Sequence, residues 1–238
     1  MMQGAPSISA ATGFFGYRFN PVGVLAFLVI LFWTVVALFA PHIAPHPVGK
    51  IVDMDYFGPM SSKLWLGSDY LGRDVLSRII YGARYTLGIA LAGVLIASSC
   101  GVIFGMAAAV IGGWFDAALS RFMDAMISIP SKLFGLVIVA AVGSSLPALI
   151  LTLAFIYTPG SYRFARALAV NVNTMDFITV ARVRGENTLY LAVSEILPNI
   201  IRPVLADFGI RFVFIVLLAS GLSFLGLGVQ PPLADWGA

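Results

Sequence analysis

The sequence predicts an all-α integral membrane protein, a polytopic helical bundle with five transmembrane helices, and three features carry that reading. Hydrophobic residues make up 60% of the 238 positions and charged residues only 11%, with a mean hydropathy of +0.96. A soluble domain carries about 25% charged residues, so this chain has too little polar surface to face water all round. Second, the apolar residues gather in long runs free of charge, and a backbone in lipid must satisfy its own hydrogen bonds as helices of about 20 residues. Third, one run carries a stripe of small residues at helical spacing. A soluble enzyme, a disordered chain and a nucleic-acid binder all fit poorly, and the net charge of +3 comes from scattered basic residues.

Residues 1–21 form a tail that contains Arg18, and residues 22–40 are 19 positions without charge, ended by Pro41 and Pro45. They read as an uncleaved first span, because the run is long and no A-x-A site precedes Pro41. Residues 41–84 then form an external loop. The next run, 85–115, has 31 uncharged residues, enough for one span and a turn at Gly112-Gly113. Inside it Gly93, Ala97, Gly101, Gly105, Ala109 and Gly113 recur at every fourth position. That spacing cuts a groove down one helix face where another helix can approach closely. The single cysteine, Cys100, excludes an internal disulfide and any Cys-based zinc site.

The 30-residue run at 133–162 is broken by Gly143-Ser144-Ser145-Leu146-Pro147, which predicts two helices and a tight connection. The earlier helix reaches back through Pro130 towards Ala117 and takes in Arg121, Asp124 and Lys132. Arg121 and Asp124, three apart, can pair along one face. The later helix runs from about Leu146 to Tyr162, and the run at 212–234 supplies the fifth span, ending near Gly228. With the N-terminus inside, residues 163–203 are cytoplasmic. The inside then holds seven basic residues (Arg18, Arg121, Arg163, Arg166, Arg182, Arg184, Arg202), against five outside (Lys50, Lys63, Arg73, Arg78, Arg84). Within that segment, residues 176–185 read as a short amphipathic helix with Phe177, Val180, Ala181 and Arg184 on one face, closed by Gly185. A second helix from about Leu189 stops before Pro198. The pair makes a compact elbow on which a partner protein could push.

These residues resemble a known family. Val180-Ala181-x-x-x-Gly185 followed by Ile196-Leu197-Pro198-Asn199 is similar to the EAA loop of ABC-importer permeases, with Thr179 where the motif has glutamate. Glu195 stands where peptide permeases usually have histidine. The segment from Trp65 through Gly67, Asp69, Gly72, Arg73, Asp74 and Ser77 to Arg78, followed by Tyr81-Gly82-Ala83-Arg84, resembles the C-type permease subunit of dipeptide and oligopeptide importers. So does the stretch from Leu222 to Pro232 with Trp236-Gly237. The resemblance implies a type I importer permease in the bacterial inner membrane. It implies a heterodimer with a second permease subunit, two ATP-binding subunits and a periplasmic substrate-binding protein that largely sets selectivity. It also implies that Thr179, Val180, Ala181, Gly185, Ile196, Leu197 and Pro198 form the loop that couples to the ATPase.

Read on their own, Asp69, Arg73 and Asp74 are close enough to pair, and Gly67 and Gly72 permit tight turns that pin the loop to the bundle mouth. His42 and His46, four apart among prolines, make a poor metal site, and no cofactor or metal ligand set is implied. No G-x-x-x-x-G-K-[ST] occurs and no catalytic constellation stands out, so ATP hydrolysis belongs to a partner. Members of this family usually continue into a sixth span, and a chain shortened at Ala238 is expected to assemble less well or to be a non-functional permease. The alternative is a self-contained channel or ion-coupled carrier. Such carriers show internal repeats and mid-span ionisable residues, whereas no repeat is visible here and Arg121, Asp124, Lys132, Asp207 and Arg211 fall near predicted helix ends.

Overall fold

The computed structural model describes residues 21–54 and 57–237, and the N-terminal tail with Arg18 lies outside the described residues. The described chain is helical, with only isolated bridges at Ile51–Arg73 and Ser68–Asp74. Helix α1 spans Pro21–Ile43, one turn beyond the expected stop, because Pro41 sits within it near its end. It lies on the outside of the bundle, with Phe27, Ile30 and Leu38 among its exposed side chains. That is the surface a lipid-facing helix presents.

Helix α2, Val75–Ile111, begins well before the uncharged run. Asp74 caps it by accepting from Leu76 and Ser77 N–H groups, so residues 75–84 are helix rather than external loop. It ends at Gly112, whose φ of 67° closes the helix at the expected turn. Helices α3, Gly113–Ile127, and α4, Ser131–Val142, replace the single helix expected through Pro130, and they bend by 89°. The cause is Pro130, which removes a backbone donor and pushes Ile129 out of helical conformation. Nor do Arg121 and Asp124 pair: Arg121 is exposed, and Asp124 faces Arg163 at 3.5 Å.

Helix α5, Leu146–Asn173, runs past Tyr162, where the uncharged run stops. Its arginines are tolerated because α3 answers them: Arg166 donates to both Asp116 oxygens at 2.5 Å. The connection expected at 163–203 is therefore shorter. It consists of α6, Asp176–Val183, then α7, Thr188–Tyr190, which continues through a π turn at Leu191–Ile196 into α8, Leu197–Phe224. The helix does not stop before Pro198. Leu197 N–H bonds to Ala192 C=O five residues back, and this wider turn makes room where proline would otherwise clash. A Schellman motif ends α8 at Gly226, earlier than Gly228: Leu227 N–H reaches Leu222 C=O at 2.9 Å and Gly226 N–H reaches Ser223 C=O at 2.9 Å.

Helices α2 and α5 form the central pair. Around one end, Ile89, Ala90 and Val94 of α2 pack with Leu149, Leu153, Ile215 and Leu222. Around the other, Met106 and Ala109 pack with Ala169, Ile178, Ala181, Ile196 and Ile200. Five spans were expected. Helix α1, helix α2 and the continuous helix Thr188–Phe224 are long and apolar enough to cross a membrane, and the bent α3–α4 pair would make a fourth. Gly93, Ala97, Gly101, Gly105 and Ala109 are all buried on α2, while Gly113 falls beyond the break and faces open space.

Candidate functional site

Two constructions stand at opposite ends of α2, roughly 50 Å apart along a helix that rises 1.5 Å per residue. At one end is the elbow. Gly185 has a φ of 87° and closes α6 with its own Schellman pair, Glu186 N–H to Ala181 C=O at 3.2 Å and Gly185 N–H to Arg182 C=O at 3.0 Å. The face that α6 buries is Ile178 with Ala181, not Phe177, Val180, Ala181 and Arg184 together. Only Ala181 is common to both sets, because Ile178 is the residue that reaches Ile196 and the α2–α5 floor. Phe177, Thr179, Val180 and Val183 are left exposed, and Leu189 and Val193 extend this apolar surface across the turn. Arg184 reaches Glu195 at 3.9 Å, and Arg182 donates to Asn173 at 2.7 Å while Asn173 donates to Ala109 C=O at 2.8 Å. Ile196 is buried, Leu197 half-buried and Pro198 exposed, so the expected coupling residues fall on both sides of the elbow surface.

At the other end is a polar knot. Asp69 accepts from Arg73 Nε at 2.8 Å, from Arg78 at 2.5 Å and from the backbone N–H groups of Leu71 and Arg73 at 2.8 and 2.9 Å. Asp74 does not join that group. It accepts from Ser77 Oγ at 2.6 Å and lies 3.1 Å from His46 Nδ1, which gives His46 a role that its sequence position did not suggest. Gly67 and Gly72 both take positive φ, and a Cβ on Gly67 would sit 2.6 Å from the Gly58 carbonyl oxygen. A Cβ on Gly72 would collide with the Asp53 carbonyl. The segment after α8 is fastened to the same end: Trp236 N–H donates to Thr86 Oγ1 at 3.0 Å, its indole to Ile79 C=O at 3.1 Å, and Ser223 to Asp235. Trp236 also meets Trp33 of α1 edge to face, 4.8 Å between centroids.

Residues 101–238 match the family described as binding-protein-dependent transport system inner membrane component. The chain belongs to this family. It is 34% identical over 229 residues to the di/tripeptide transport system permease protein DppC of Pseudomonas aeruginosa, covering 94% of this chain and 75% of that one. It is 33% identical over 219 residues to the glutathione transport system permease protein GsiD of Pectobacterium atrosepticum, with coverage of 91% and 72%. It is 32% identical over 219 residues to the probable D,D-dipeptide transport system permease protein DdpC of Escherichia coli, with coverage of 92% and 74%. The protein is thus an inner-membrane permease component of a binding-protein-dependent importer, a part of a multi-component system rather than a self-contained carrier.

In this permease the segment from Trp65 to Arg84 and the one that ends at Trp236-Gly237 are one structural unit: Asp69 holds Arg78 at the start of α2, and one turn on a Cβ on Gly82 would meet the Trp236 ring at 2.9 Å. Burial works against ionisation of Asp69, yet the Arg73 and Leu71 N–H groups and the Arg73 guanidinium outweigh it and hold the carboxyl below its ordinary 3.8. With the folded value below the unfolded one, Asp69 stabilises the knot above pH 3.8, and that contribution is lost as the pH falls through the folded value. Asp69→Asn at neutral pH should strand two guanidiniums and destabilise the knot by about 3 kcal/mol. Amide exchange across residues 67–75 should then speed up on the order of 100-fold by mass spectrometry, while exchange in the centre of α5 stays unchanged.

Proposed function

We propose that this permease carries short peptides inward across the inner membrane as one half of a heterodimer with a second permease, driven by two ATP-binding subunits that dock at the α6 elbow. The elbow is the observation that carries the reading. A helix of eight residues is held by Ile178 and Ala181 and hinged at Gly185, and it offers Phe177, Val180 and Val183 outward beside Arg182 and Arg184. Such a surface fits a protein groove and makes poor sense in water. ATP binding would then bias two arrangements of the bundle through this contact, with hydrolysis confined to the partner.

The separation of the two constructions supports the topology. A distance of roughly 50 Å exceeds the 40–45 Å of a bilayer with its headgroups, which supports the two lying on opposite sides; in this reading the elbow faces the cytoplasm, where the ATPases dock, and the knot faces the periplasm and the substrate-binding protein. We take α5 as the remaining span. Its polar middle rules it out as a lipid-facing helix, but it is packed against α2 along most of its length, with Tyr162, Ala165 and Ala169 buried. The peptide assignment follows the names of the relatives. Affinity purification of this chain from its native membrane should bring down a second permease and an ATPase, and the assembled system should take up labelled short peptides. Recovery of the chain alone would count against the reading.

A further inference from the structure

The sequence predicts Arg163 in the cytoplasmic segment and Arg211 near a helix end, but both lie far along their helices from either terminus. Arg211 is roughly 20 Å below the Phe224 end of α8, and Arg163 roughly 25 Å below the Leu146 end of α5, at 1.5 Å per residue. Leu149 and Leu222 share one core at those ends, so the two arginines sit at similar depth. They line a single cleft of about 670 Å³ between the α3–α4 bend, α5 and α8, with Ile129, Ser131, Tyr157 and Phe164 among its walls. That volume suits a small ligand.

The cleft has a consistent charge. Arg163 and Arg211 are its only ionisable lining groups apart from the phenol of Tyr157, and no carboxylate lines it. Their partners are not among the lining residues: Asp207 holds Arg211 at 2.5 and 3.1 Å, and Asp124 meets Arg163 loosely at 3.5 Å. Arg163 keeps 59% of its side chain exposed, which leaves guanidinium donors for a second acceptor. Gly160 leaves room for the Arg211 guanidinium, because a Cβ there would stand 2.5 Å from an Arg211 terminal nitrogen and displace it. An exposed guanidinium at mid-bundle is costly against lipid, so this face borders water or protein.

We propose that Arg163 and Arg211 form a carboxylate-binding station for the free C-terminal carboxylate of short peptides on their way through the permease; this rests on the peptide reading above. The exposed Arg163 fork from α5 and the Arg211 terminal nitrogen that does not hold Asp207, from α8, can meet one carboxylate, and the apolar walls accommodate the adjoining side chain. Because the two guanidiniums belong to different helices, any movement of α5 against α8 would change their spacing and weaken their joint hold.

The test is uptake of trialanine and of trialanine amide by proteoliposomes holding the complete importer with its binding protein. The same binding protein serves every arm, so a change in the ratio between the two peptides belongs to the permease. Arg163→Gln should lower trialanine uptake about tenfold and narrow the preference over the amide, with Arg163→Lys recovering part of it. The double variant Asp207→Asn with Arg211→Gln removes the second guanidinium without leaving a buried acid unpaired, and should act in the same direction. Assembled complex must be recovered in wild-type amount in the arms compared; Arg163→Gln decides alone if the double variant fails to assemble. Equal loss for both peptides, as from a bond to a partner subunit, overturns the station, and so does an unchanged ratio. Wild-type importer that takes up neither peptide overturns the peptide reading itself, and the station with it.

Discussion

Gly101→Leu is expected to abolish assembly of the bundle, whereas Gly88→Ala on the same helix should be close to neutral. A Cβ at position 101 would lie 2.7 Å from the backbone nitrogen of Tyr162 and in collision with the Ser161 side chain. At Gly105, one turn on, a Cβ would stand 2.8 Å from the Arg166 nitrogen and 2.9 Å from the Tyr162 oxygen. These are contacts with the main chain of α5, which has no rotamer by which to move aside. Relief requires α5 as a whole to retreat from α2, and that would open the core around Tyr162, Ala165 and Ala169. It would also pull Arg166 away from Asp116 of α3. Overpacking alone costs about 1–3 kcal/mol, and separating two backbones adds lost dispersion along the whole contact. Gly88 has nothing within 4 Å of its would-be Cβ, and alanine is the better helix former there. The yield of monodisperse protein after detergent extraction, and its melting temperature, would check both variants. A Gly101→Leu protein that melts like wild type would show that α2 and α5 are not in backbone contact.

This close approach was legible in the sequence because it depends on a local repeat. Five small residues on one face declare a packing surface whatever the partner is. The limits of the helices were not legible for the opposite reason. Uncharged runs mark where a helix needs no help, but α2 starts at Val75 because Asp74 caps it and Asp69 neutralises Arg78. Helix α5 passes Tyr162 because Asp116, 50 positions earlier in the chain, waits for Arg166. The Asp116–Arg166 pair has no local signature; the Asp74 cap has one, which a count of uncharged runs passes over. The elbow illustrates a finer gap. Its turn at Gly185 follows from residue type, but which side of an eight-residue helix is buried depends on the floor beneath it, and periodicity over two turns cannot separate Ile178 from Phe177. Pro198 predicts a stop, since proline usually ends a helix. The π turn before it supplies the exception, and nothing in the sequence of residues 191–196 announces such a turn.

Gly185→Val should separate transport from folding. The backbone at Gly185 has a φ of 87°, yet nothing lies within 4 Å of its would-be Cβ, so the cost is conformational rather than a clash. An L-residue in that region pays roughly 1–2 kcal/mol, and a β-branched one more. The chain can avoid this by undoing the Schellman pair at Arg182 and Ala181, which swings α6 relative to the helix that begins at Thr188. Helices α2 and α5 take no part in the movement, so membrane insertion and the central core should survive. What is lost is the fixed angle between the exposed Phe177–Val180–Val183 surface and the bundle, the quantity that coupling would need. Peptide uptake by the assembled importer should fall at least about tenfold, the scale of roughly 1.4 kcal/mol lost from a coupling contact. Gly143→Val is the matched control. Its φ of 95° and open surroundings impose similar strain at the tight α4–α5 connection, at the end of the bundle remote from the elbow. If both variants lose uptake only in proportion to the protein recovered, strain explains everything and the elbow has no special place. If Gly185→Val alone loses uptake per assembled complex, the angle at residue 185 is what the ATPase acts on.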